Sequence, residues 1–203
     1  MKLFYSPGAC SMAPHIVLRE TGAAFSLEKV DTRKHLLADG SDYYAVTPKG
    51  QVPLLQMDDG ALLSEGPVIT QFIADQAGHT TLLPAAGSLA RYRVMEWQNF
   101  ITSELHKSFS PLFNPGFDAD AKTLHAQLLR KKFDWVDGKL AGRDYLTGSD
   151  FTIADAYLFT VTGWAKMVAL DLSDLAHLQA FLARVAARPA VRAAMQAEGL
   201  LAA

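Results

Sequence analysis

The sequence predicts two domains of different fold class: an α/β domain over residues 1–80 and an all-α domain over residues 88–203. Strand-like and helix-like patterns alternate in short stretches through the first range, whereas the second shows helical periodicity almost throughout. The connecting stretch GHTTLLPAAG is rich in Gly, Pro and Thr, which interrupt regular structure. A chain of 203 residues buries roughly 70% of its unfolded surface on folding, which is enough for a core in each domain.

Composition and charge exclude several classes of protein. Half of the residues are apolar and a fifth are charged, a balance typical of a globular chain rather than a disordered one. The net charge of −2 lacks the basic excess that a nucleic-acid partner requires. No apolar run reaches about 18 residues, and the opening MKLFYSPGACS lacks the apolar core of a signal peptide. We therefore expect a cytoplasmic protein with no nucleic-acid partner and no membrane partner.

The elements of the α/β domain are predicted in the order βαβαββα. Pro7 and Gly8 turn the chain after the first strand, and Gly22 ends the first helix. The sequence DDG at 58–60 is typical of a hairpin turn between two strands. The predicted strands cover residues 2–6, 25–30, 52–57 and 61–63, and the predicted helices cover residues 11–22, 41–46 and 65–76.

The all-α domain is predicted to consist of helices separated by turn residues such as Pro115, Gly142 and Gly148. Thr152 is followed three positions later by Asp155, the spacing of a capping box, in which each side chain satisfies a free backbone amide of the helix start. The predicted helices cover residues 88–113, 119–140, 152–169, 174–187 and 189–197.

Cys10 is the only cysteine, and it lies where the first predicted strand ends and the first helix begins. Its sulfur is expected near unpaired backbone amides at the positive end of the helix dipole. Thiols in such positions have a pKa lowered from about 8.5 to about 3.5–7.5, which predicts a reactive thiolate. The alternative is a buried, unreactive cysteine, but the small residues of PGACS leave room for a ligand.

The neighbours of Cys10 limit its chemistry. Position 13 is Ala, so Cys10 has no C-x-x-C partner, and an external thiol must resolve any mixed disulfide. The hydroxyl of Ser11 could cap the helix or donate to the sulfur of a ligand, and both roles stay open.

The predicted helix over residues 88–113 carries a polar stripe with an aromatic end. Apolar residues cover much of the remaining helix surface, so we expect this stripe to line a cleft. His106 could then hydrogen-bond a thiolate or a substrate at neutral pH. At 100° per residue, the members that fall within about 80° of each other are Asn99, Ser103, His106, Ser110 and Phe113.

Two short segments of the α/β domain suit a small zwitterionic peptide. If the Val52-Pro53 bond is cis, the Val52 backbone turns outward and can pair with an extended peptide; the alternative is an ordinary tight turn. At the start of the helix over 65–76, Glu65 suits an ammonium group, and the backbone amides around Gly66 suit a carboxylate. The histidine spacings suggest no metal site, and none is predicted.

These features lie in segments that identify a family: MKLFYSPGACSMAPHIVLRETG, TPKGQVPLL, LLSEGPVI, SELHKSFSPLF and FTIADAYLF. Over its whole length, the chain resembles the bacterial beta-class glutathione S-transferases. The resemblance implies the glutathione transferase fold, with an α/β thioredoxin-like N-terminal domain and an all-α C-terminal helical domain. It also implies a homodimer that binds glutathione as co-substrate, mainly through the first domain, and uses no cofactor.

The resemblance further implies roles for individual residues. Cys10, Ser11 and His106 match the catalytic positions of the family. The family commonly has a lysine near the glycine carboxylate of glutathione where this chain has His35, so Lys34 or His35 is expected to hold that carboxylate with reduced affinity. The residues implied to bind glutathione are Cys10, Lys34, His35, Val52, Pro53, Glu65, Gly66, Asn99, Ser103, Glu104 and His106. Those implied to act partly on the glutathione of the partner subunit are Asn99, Ser103 and Glu104.

The predicted function is the conjugation of glutathione to small apolar electrophiles, as in detoxification. Because the resemblance implies that Cys10 can form a mixed disulfide with glutathione, a glutaredoxin-like reductase or a glutathione peroxidase is the alternative enzyme. A non-catalytic ligand-binding protein on the same fold is the second alternative. The electrophile pocket is expected to contain Phe109, Phe113, Trp164 and Met167.

Overall fold

The computed structural model describes residues 1–201, which form two compact units. Unit 1 consists of residues 1–80 and the C-terminal segment that starts at Arg188, and unit 2 covers Thr81–Ala187. Residues 88–187 of the predicted helical domain therefore lie in unit 2, whereas the segment from Arg188 lies in unit 1. No helix within residues 1–201 is long and apolar enough to cross a membrane.

The regular elements alternate first between strands and helices and then become all helical. In chain order they are β1 (Lys2–Tyr5), α1 (Met12–Glu20), β2 (Ser26–Asp31), β3 (Leu36–Leu37), β4 (Leu54–Gln56), β5 (Leu62–Ser64), α2 (Gly66–Gln76), α3 (Leu89–Phe100), α4 (Lys107–Phe113), α5 (Ala119–Leu140), α6 (Ile153–Thr162), α7 (Ala176–Ala186) and α8 (Pro189–Ala197). Three further segments are a 3-10 turn at Tyr43–Ala45, a π-helix at Ile101–His106 and a 3-10 helix at Gly163–Val168.

Unit 1 is built on a mixed five-stranded sheet with the strand order β3-β2-β1-β4-β5. β1 is parallel to β2, and the other neighbouring strands are antiparallel. The apolar residues Leu3 of β1 and Leu55 of β4 are fully buried and face each other in register, and α1 packs against α2. The sheet and its helices confirm the predicted α/β thioredoxin-like domain.

Several predicted elements differ in detail from the observed ones. β3 was not predicted, because two residues are too few to show an alternating pattern. The helix predicted over 41–46 is only the 3-10 turn Tyr43–Ala45. The helix predicted over 88–113 is interrupted by the π-helix Ile101–His106, and the helix predicted over 152–169 changes to 3-10 geometry after Thr162.

The C-terminal segment belongs to unit 1 because polar contacts attach it to α1. Glu198 is nearly buried and accepts hydrogen bonds from the backbone N–H of Gly8 at 2.9 Å and from Nδ1 of the fully buried His15 at 2.8 Å. Nε2 of His15 in turn accepts from Nε of Arg19 at 2.9 Å, which leaves the proton of the neutral ring on Nδ1. These bonds join α1, the loop before it and the segment after α8.

Unit 2 contains the helices α3 to α7 around a core that includes the fully buried Phe109, Phe133 and Phe181. The predicted capping box at the start of α6 is present. The buried carboxylate of Asp155 accepts the backbone N–H of Thr152 at 2.8 Å and that of Leu146 at 2.8 Å. This confirms the predicted all-α architecture of the second part of the chain.

Candidate active site

Cys10 lies in the loop that joins β1 to α1, as predicted. Its Sγ donates a hydrogen bond to the carbonyl oxygen of Val52 at 3.2 Å, across 42 positions of sequence. The Val52-Pro53 peptide bond is cis, and the strand β4 begins at the next residue. The structure thus brings Cys10, Val52 and Pro53 together, but the Val52 carbonyl, expected to be free for a peptide ligand, is engaged by the thiol.

The predicted thiolate at Cys10 is not what the structure supports. The pKa of the Cys10 thiol is raised to about 11, mainly by burial and to a smaller extent by the negative charge of Glu65. The backbone N–H groups of Cys10 and Ser11 act in the predicted direction and lower this pKa, but burial outweighs them. The prediction of a lowered pKa is therefore wrong for the free protein, in which Cys10 is a neutral thiol at pH 7.

Ser11 is fully buried, and its hydroxyl closes the loop before α1. Oγ donates to the carbonyl of Ser6 at 3.2 Å and accepts from the N–H of Ser6 at the same distance. It makes no capping bond to α1, so the first of the two roles left open by the sequence, the helix cap, is not observed. Because the hydroxyl is bound on both sides within the loop, Ser11 supports the backbone around Cys10.

Glu65 and Gly66 lie at the start of α2, where the sequence predicts a binding site for the two charged groups of a zwitterion. Glu65 has a φ of 73°, a left-handed conformation that is uncommon outside glycine, so the backbone there is specialised. Its exposed carboxylate lies 2.7 Å from Nζ of Lys49, a residue that the sequence analysis did not single out. The contact shows that this carboxylate accepts an ammonium group.

His35 and Lys34, the two candidates for a carboxylate anchor, have different surroundings. Nδ1 of His35 lies 3.1 Å from the carbonyl of Gly50, and its ring lies 4.4 Å from the ring of Tyr44. A side chain at Gly50 would collide with both rings, which explains the glycine there. The backbone N–H of the exposed Lys34 donates to Asp31, and no ion pair holds its ammonium group within residues 1–201.

In unit 2, Ser103 and Glu104 lie in the π-helix Ile101–His106, and Asn99 lies just before it in the last turn of α3. Asn99 and Ser103 are exposed, and the hydroxyl of Ser103 donates to the carbonyl of Asn99 at 3.1 Å. Lys132 of α5 holds Glu104 twice, because its Nζ lies 2.9 Å from the carboxylate and 3.0 Å from the main-chain carbonyl. These contacts lower the pKa of the Glu104 carboxyl. The sequence analysis predicts no role for Lys132.

His106 ends the π-helix with its ring half-buried between aromatic neighbours. Nδ1 lies 2.6 Å from the hydroxyl oxygen of Tyr157, and the ring meets that of Trp164 edge-on at 4.7 Å. The pKa of His106 is lowered to about 4, mainly by burial and to a smaller extent by the positive charge of Lys107. His106 is therefore a neutral imidazole at pH 7. No pattern in the sequence pointed to Tyr157, which is 51 positions away.

The predicted electrophile pocket is assembled in part. Phe109, Phe113 and Trp164 form one aromatic cluster with centroid distances of 5.6–6.3 Å, in which Phe113 is the most exposed member. Met167 is 71% exposed on the 3-10 helix after α6. Within residues 1–201, no group of three or more His, Cys, Asp and Glu side chains is placed to hold a metal ion.

Comparisons with known proteins assign both parts of the chain. A family model described as "Glutathione S-transferase, N-terminal domain" matches residues 8–76, and one described as "Glutathione S-transferase, C-terminal domain" matches residues 100–189. The chain is 52% identical to "Glutathione S-transferase GstA" of Escherichia coli O157:H7 over 201 residues, which cover 98% of this chain and 100% of that protein.

Solved structures give the same assignment. A beta-class glutathione S-transferase of Sphingomonas chungbukensis matches with a TM-score of 0.95 and 45% identity, over 99% of this chain and 100% of that one. A sphingomonad glutathione S-transferase complexed with glutathione matches with a TM-score of 0.94 and 46% identity, over the same shares of the two chains. The chain therefore belongs to the glutathione S-transferase family, as a transferase of its bacterial beta class with glutathione as co-substrate.

Proposed function

We propose that this transferase activates the sulfur of glutathione and conjugates it to small apolar electrophiles, with Cys10 acting as a hydrogen-bond donor rather than as the attacking group. The observation that supports this most directly is the neutral Cys10 thiol, whose raised pKa keeps its proton available at pH 7. A thiol that now donates to the Val52 carbonyl can donate to an incoming thiolate instead. The sulfur of glutathione is then the nucleophile.

The residues of unit 1 supply the binding of glutathione in this proposal. The Val52 backbone before the cis Pro53 pairs with the extended peptide, and Glu65 with Gly66 binds its γ-glutamyl end. The contact between Glu65 and Lys49 supports this role, because the ammonium group of glutathione would take the place of the Lys49 ammonium group beside the Glu65 carboxylate.

Lys34 is the better anchor for the glycine carboxylate of glutathione. Its ammonium group has no ion-pair partner within residues 1–201, whereas His35 already uses Nδ1 toward the Gly50 carbonyl. The contact with Gly50 leaves His35 only one ring nitrogen for a carboxylate, whereas the Lys34 ammonium group has three N–H donors.

The electrophile is proposed to contact the aromatic cluster of unit 2. The faces of Phe113 and Trp164 suit planar aromatic groups, and the half-exposed Phe113 gives such a group access. His106, next to the same Trp164, is proposed as a second neutral donor in catalysis. The exposure of Met167 leaves it at most a peripheral contact.

Thiol-disulfide exchange is a secondary reaction in this proposal. In it the Cys10 thiolate attacks one sulfur of oxidised glutathione, the new S–S bond forms as the old one breaks, and the second glutathione leaves as a thiolate. The proton of Cys10 passes to solvent first, and the raised pKa of this thiol makes that step costly at pH 7. The structure thus favours conjugation over a glutaredoxin-like or peroxidase activity.

A homodimer in the cytoplasm completes the proposal. Several apolar side chains on α3 and α5 are exposed in the single chain, and a second copy would cover them. In such a dimer Asn99, Ser103 and Glu104 act on the glutathione of the partner subunit. The side chains concerned are Leu89, Tyr92, Leu124, Leu128 and Trp135.

Paired assays test the proposal. The wild-type protein, Cys10→Ser and Cys10→Ala are compared in the conjugation of glutathione to a dinitro aryl chloride and in the reduction of a glutathione mixed disulfide. We expect Cys10→Ser, which keeps a donor, to conjugate within about threefold of wild type, and Cys10→Ala to lose about five- to tenfold, the effect of one hydrogen bond.

The outcomes separate the three candidate functions. Conjugation reduced to the uncatalysed rate in Cys10→Ser would show that the Cys10 sulfur itself is required, against the proposal. Disulfide reduction faster than conjugation in wild type would favour the reductase. Binding of glutathione in calorimetry without either activity would favour the ligand-binding protein.

A further inference from the structure

The hydrogen bond between His106 and Tyr157 connects the end of the π-helix to the interior of unit 2. Tyr157 is only 4% exposed and lies in α6, where nearly every residue is buried. The backbone of this helix is held at its start by the capping box of Asp155. The hydroxyl of Tyr157 is therefore held in a fixed position beside the imidazole of His106.

The length of this bond indicates which atom donates. Nδ1 of His106 and the hydroxyl oxygen of Tyr157 are 2.6 Å apart. Hydrogen bonds of the O–H···O type are about 2.5–3.0 Å long, and those of the N–H···O type are about 2.7–3.2 Å long. At 2.6 Å the contact is shorter than the N–H···O range, which favours donation by the O–H of Tyr157 to the lone pair of Nδ1. The single proton of the neutral imidazole must then lie on Nε2.

The opposite edge of the His106 ring is available to a ligand. Within residues 1–201 His106 makes no hydrogen bond other than that to Tyr157, and no buried side-chain nitrogen or oxygen lacks a partner. Nε2 must therefore keep contact with solvent. The rings of Tyr157 and Trp164, both edge-on to the imidazole at 5.9 and 4.7 Å, fix the plane in which its N–H points.

We propose that Tyr157 is a positioning residue that holds His106 as the Nε2–H tautomer, so that His106 works as a neutral hydrogen-bond donor and not as a base. This inference rests on the proposed function for the identity of the acceptor, which is the sulfur of glutathione or the leaving group of the electrophile. The tautomer assignment itself rests only on the contacts within unit 2. A general base at this position would need a free lone pair on Nε2. The hydrogen bond from Tyr157 to Nδ1 keeps the ring proton on Nε2, so no such lone pair is available.

Tyr157→Phe tests the inference, because it removes one hydroxyl and keeps the ring. Nitrogen-15 NMR of the His106 side chain, assigned by comparison with His106→Ala, shows which ring nitrogen carries the proton. We expect only the Nε2–H form in wild type and a mixture of both tautomers in Tyr157→Phe. We expect kcat for conjugation to fall about three- to tenfold, the effect of one hydrogen bond, with KM for glutathione unchanged. Tyr145→Phe, at a buried ring that packs on Phe151 and Phe181, is the matched control and should leave both readouts unchanged.

A double-mutant comparison separates positioning from a general structural effect. If Tyr157 acts through His106, adding Tyr157→Phe to His106→Ala changes kcat by less than about 1.5-fold. An Nδ1–H tautomer in the wild-type protein would overturn the inference, and so would an equal loss of kcat in the presence and absence of His106. The NMR result does not depend on turnover. If wild type conjugates nothing, the proposed function fails while the tautomer assignment is still decided.

Discussion

The ionisation of Cys10 is the point where the structure departs most from the sequence-based expectation, and it can be measured directly. Burial raises the pKa of this thiol from 9.0 to about 11. Each pKa unit is a factor of ten in thiolate fraction, so at pH 7 the thiolate is about 100-fold scarcer than in an unburied thiol of pKa 9.0. The sequence-based expectation, a pKa of about 3.5–7.5, predicts a thiolate fraction thousands of times larger.

Alkylation by iodoacetamide, followed by mass spectrometry of the intact protein, reports this fraction because Cys10 is the only cysteine. We expect the rate constant to rise about tenfold per pH unit from pH 6 to pH 10 without levelling off, since only the thiolate reacts. If the access of iodoacetamide to the sulfur is limited, the alkylation rate constants at all pH values fall by the same factor, and the shape of the pH profile does not change. A short cysteine peptide in the same buffers is the control.

Glu65→Gln adds an internal check, because the charge of Glu65 contributes to the raised pKa of Cys10. The variant should alkylate slightly faster than wild type at every pH below 10. A profile that levels off below pH 9 in the wild-type protein would refute the reasoning, and it would restore the reactive thiolate and with it the redox function.

Three substitutions test contacts within unit 1 (Glu198) or within unit 2 (Asp155 and Lys132). Glu198→Gln weakens the bonds that attach the C-terminal segment to His15, and it should lower the free energy of unfolding in urea by about 1–3 kcal/mol; a change below about 0.5 kcal/mol would contradict this. Burial raises the pKa of Asp155 to about 6, so its folded form binds more protons than the unfolded chain between pH 4 and 6. Wild type should therefore lose roughly 2–3 kcal/mol of stability relative to Asp155→Asn as the pH rises through that window, and a constant difference would count against the raised pKa. Lys132→Met releases the Glu104 carbonyl of the π-helix and should cost about 1–2 kcal/mol, whereas Lys131→Met on the same helix should cost less than about 0.5 kcal/mol; equal effects would remove the special role of Lys132.

The elements of the fold were predictable where local pattern decides them. The helix starts at Thr152 and Ser88 carry side chains that bind the free amides of their own first turns, and the hairpin at 58–60 carries its own turn residues. The π-helix was not predictable, because six residues with a wider turn disturb a helical pattern too little to be read from one sequence. His106 and Ser103 are consequently not spaced by the 100° per residue that the predicted stripe assumed.

The site was predictable in its residue types but not in its electrostatics. Cys10 was correctly placed before α1, and the amides that lower its pKa are indeed there. What reverses the balance is burial, together with a contact to Val52 that is 42 positions away. Tyr157, Lys49 and Lys132 were missed for the same reason, since each acts on a residue at least 16 positions distant. Desolvation and such pairings depend on the tertiary structure.

The two neutral donors that we propose, Cys10 and His106, suit a thiol that must remain a good nucleophile. The nucleophilicity of a thiolate falls as its pKa falls, and the best attacking thiol has a pKa near the ambient pH. Two neutral hydrogen bonds of about 1–1.5 kcal/mol each would lower a thiol pKa of about 8.5 by roughly 1.5–2 units, to near 7. A full positive charge close to the sulfur would lower the pKa further and weaken the attack. Ultraviolet titration of the bound glutathione thiolate should therefore show a pKa near 7 in wild type, higher by about 0.7–1 unit in Cys10→Ala or His106→Ala and near 8.5 in the double variant; a bound pKa that neither substitution moves would show that backbone groups, and not these side chains, stabilise the thiolate.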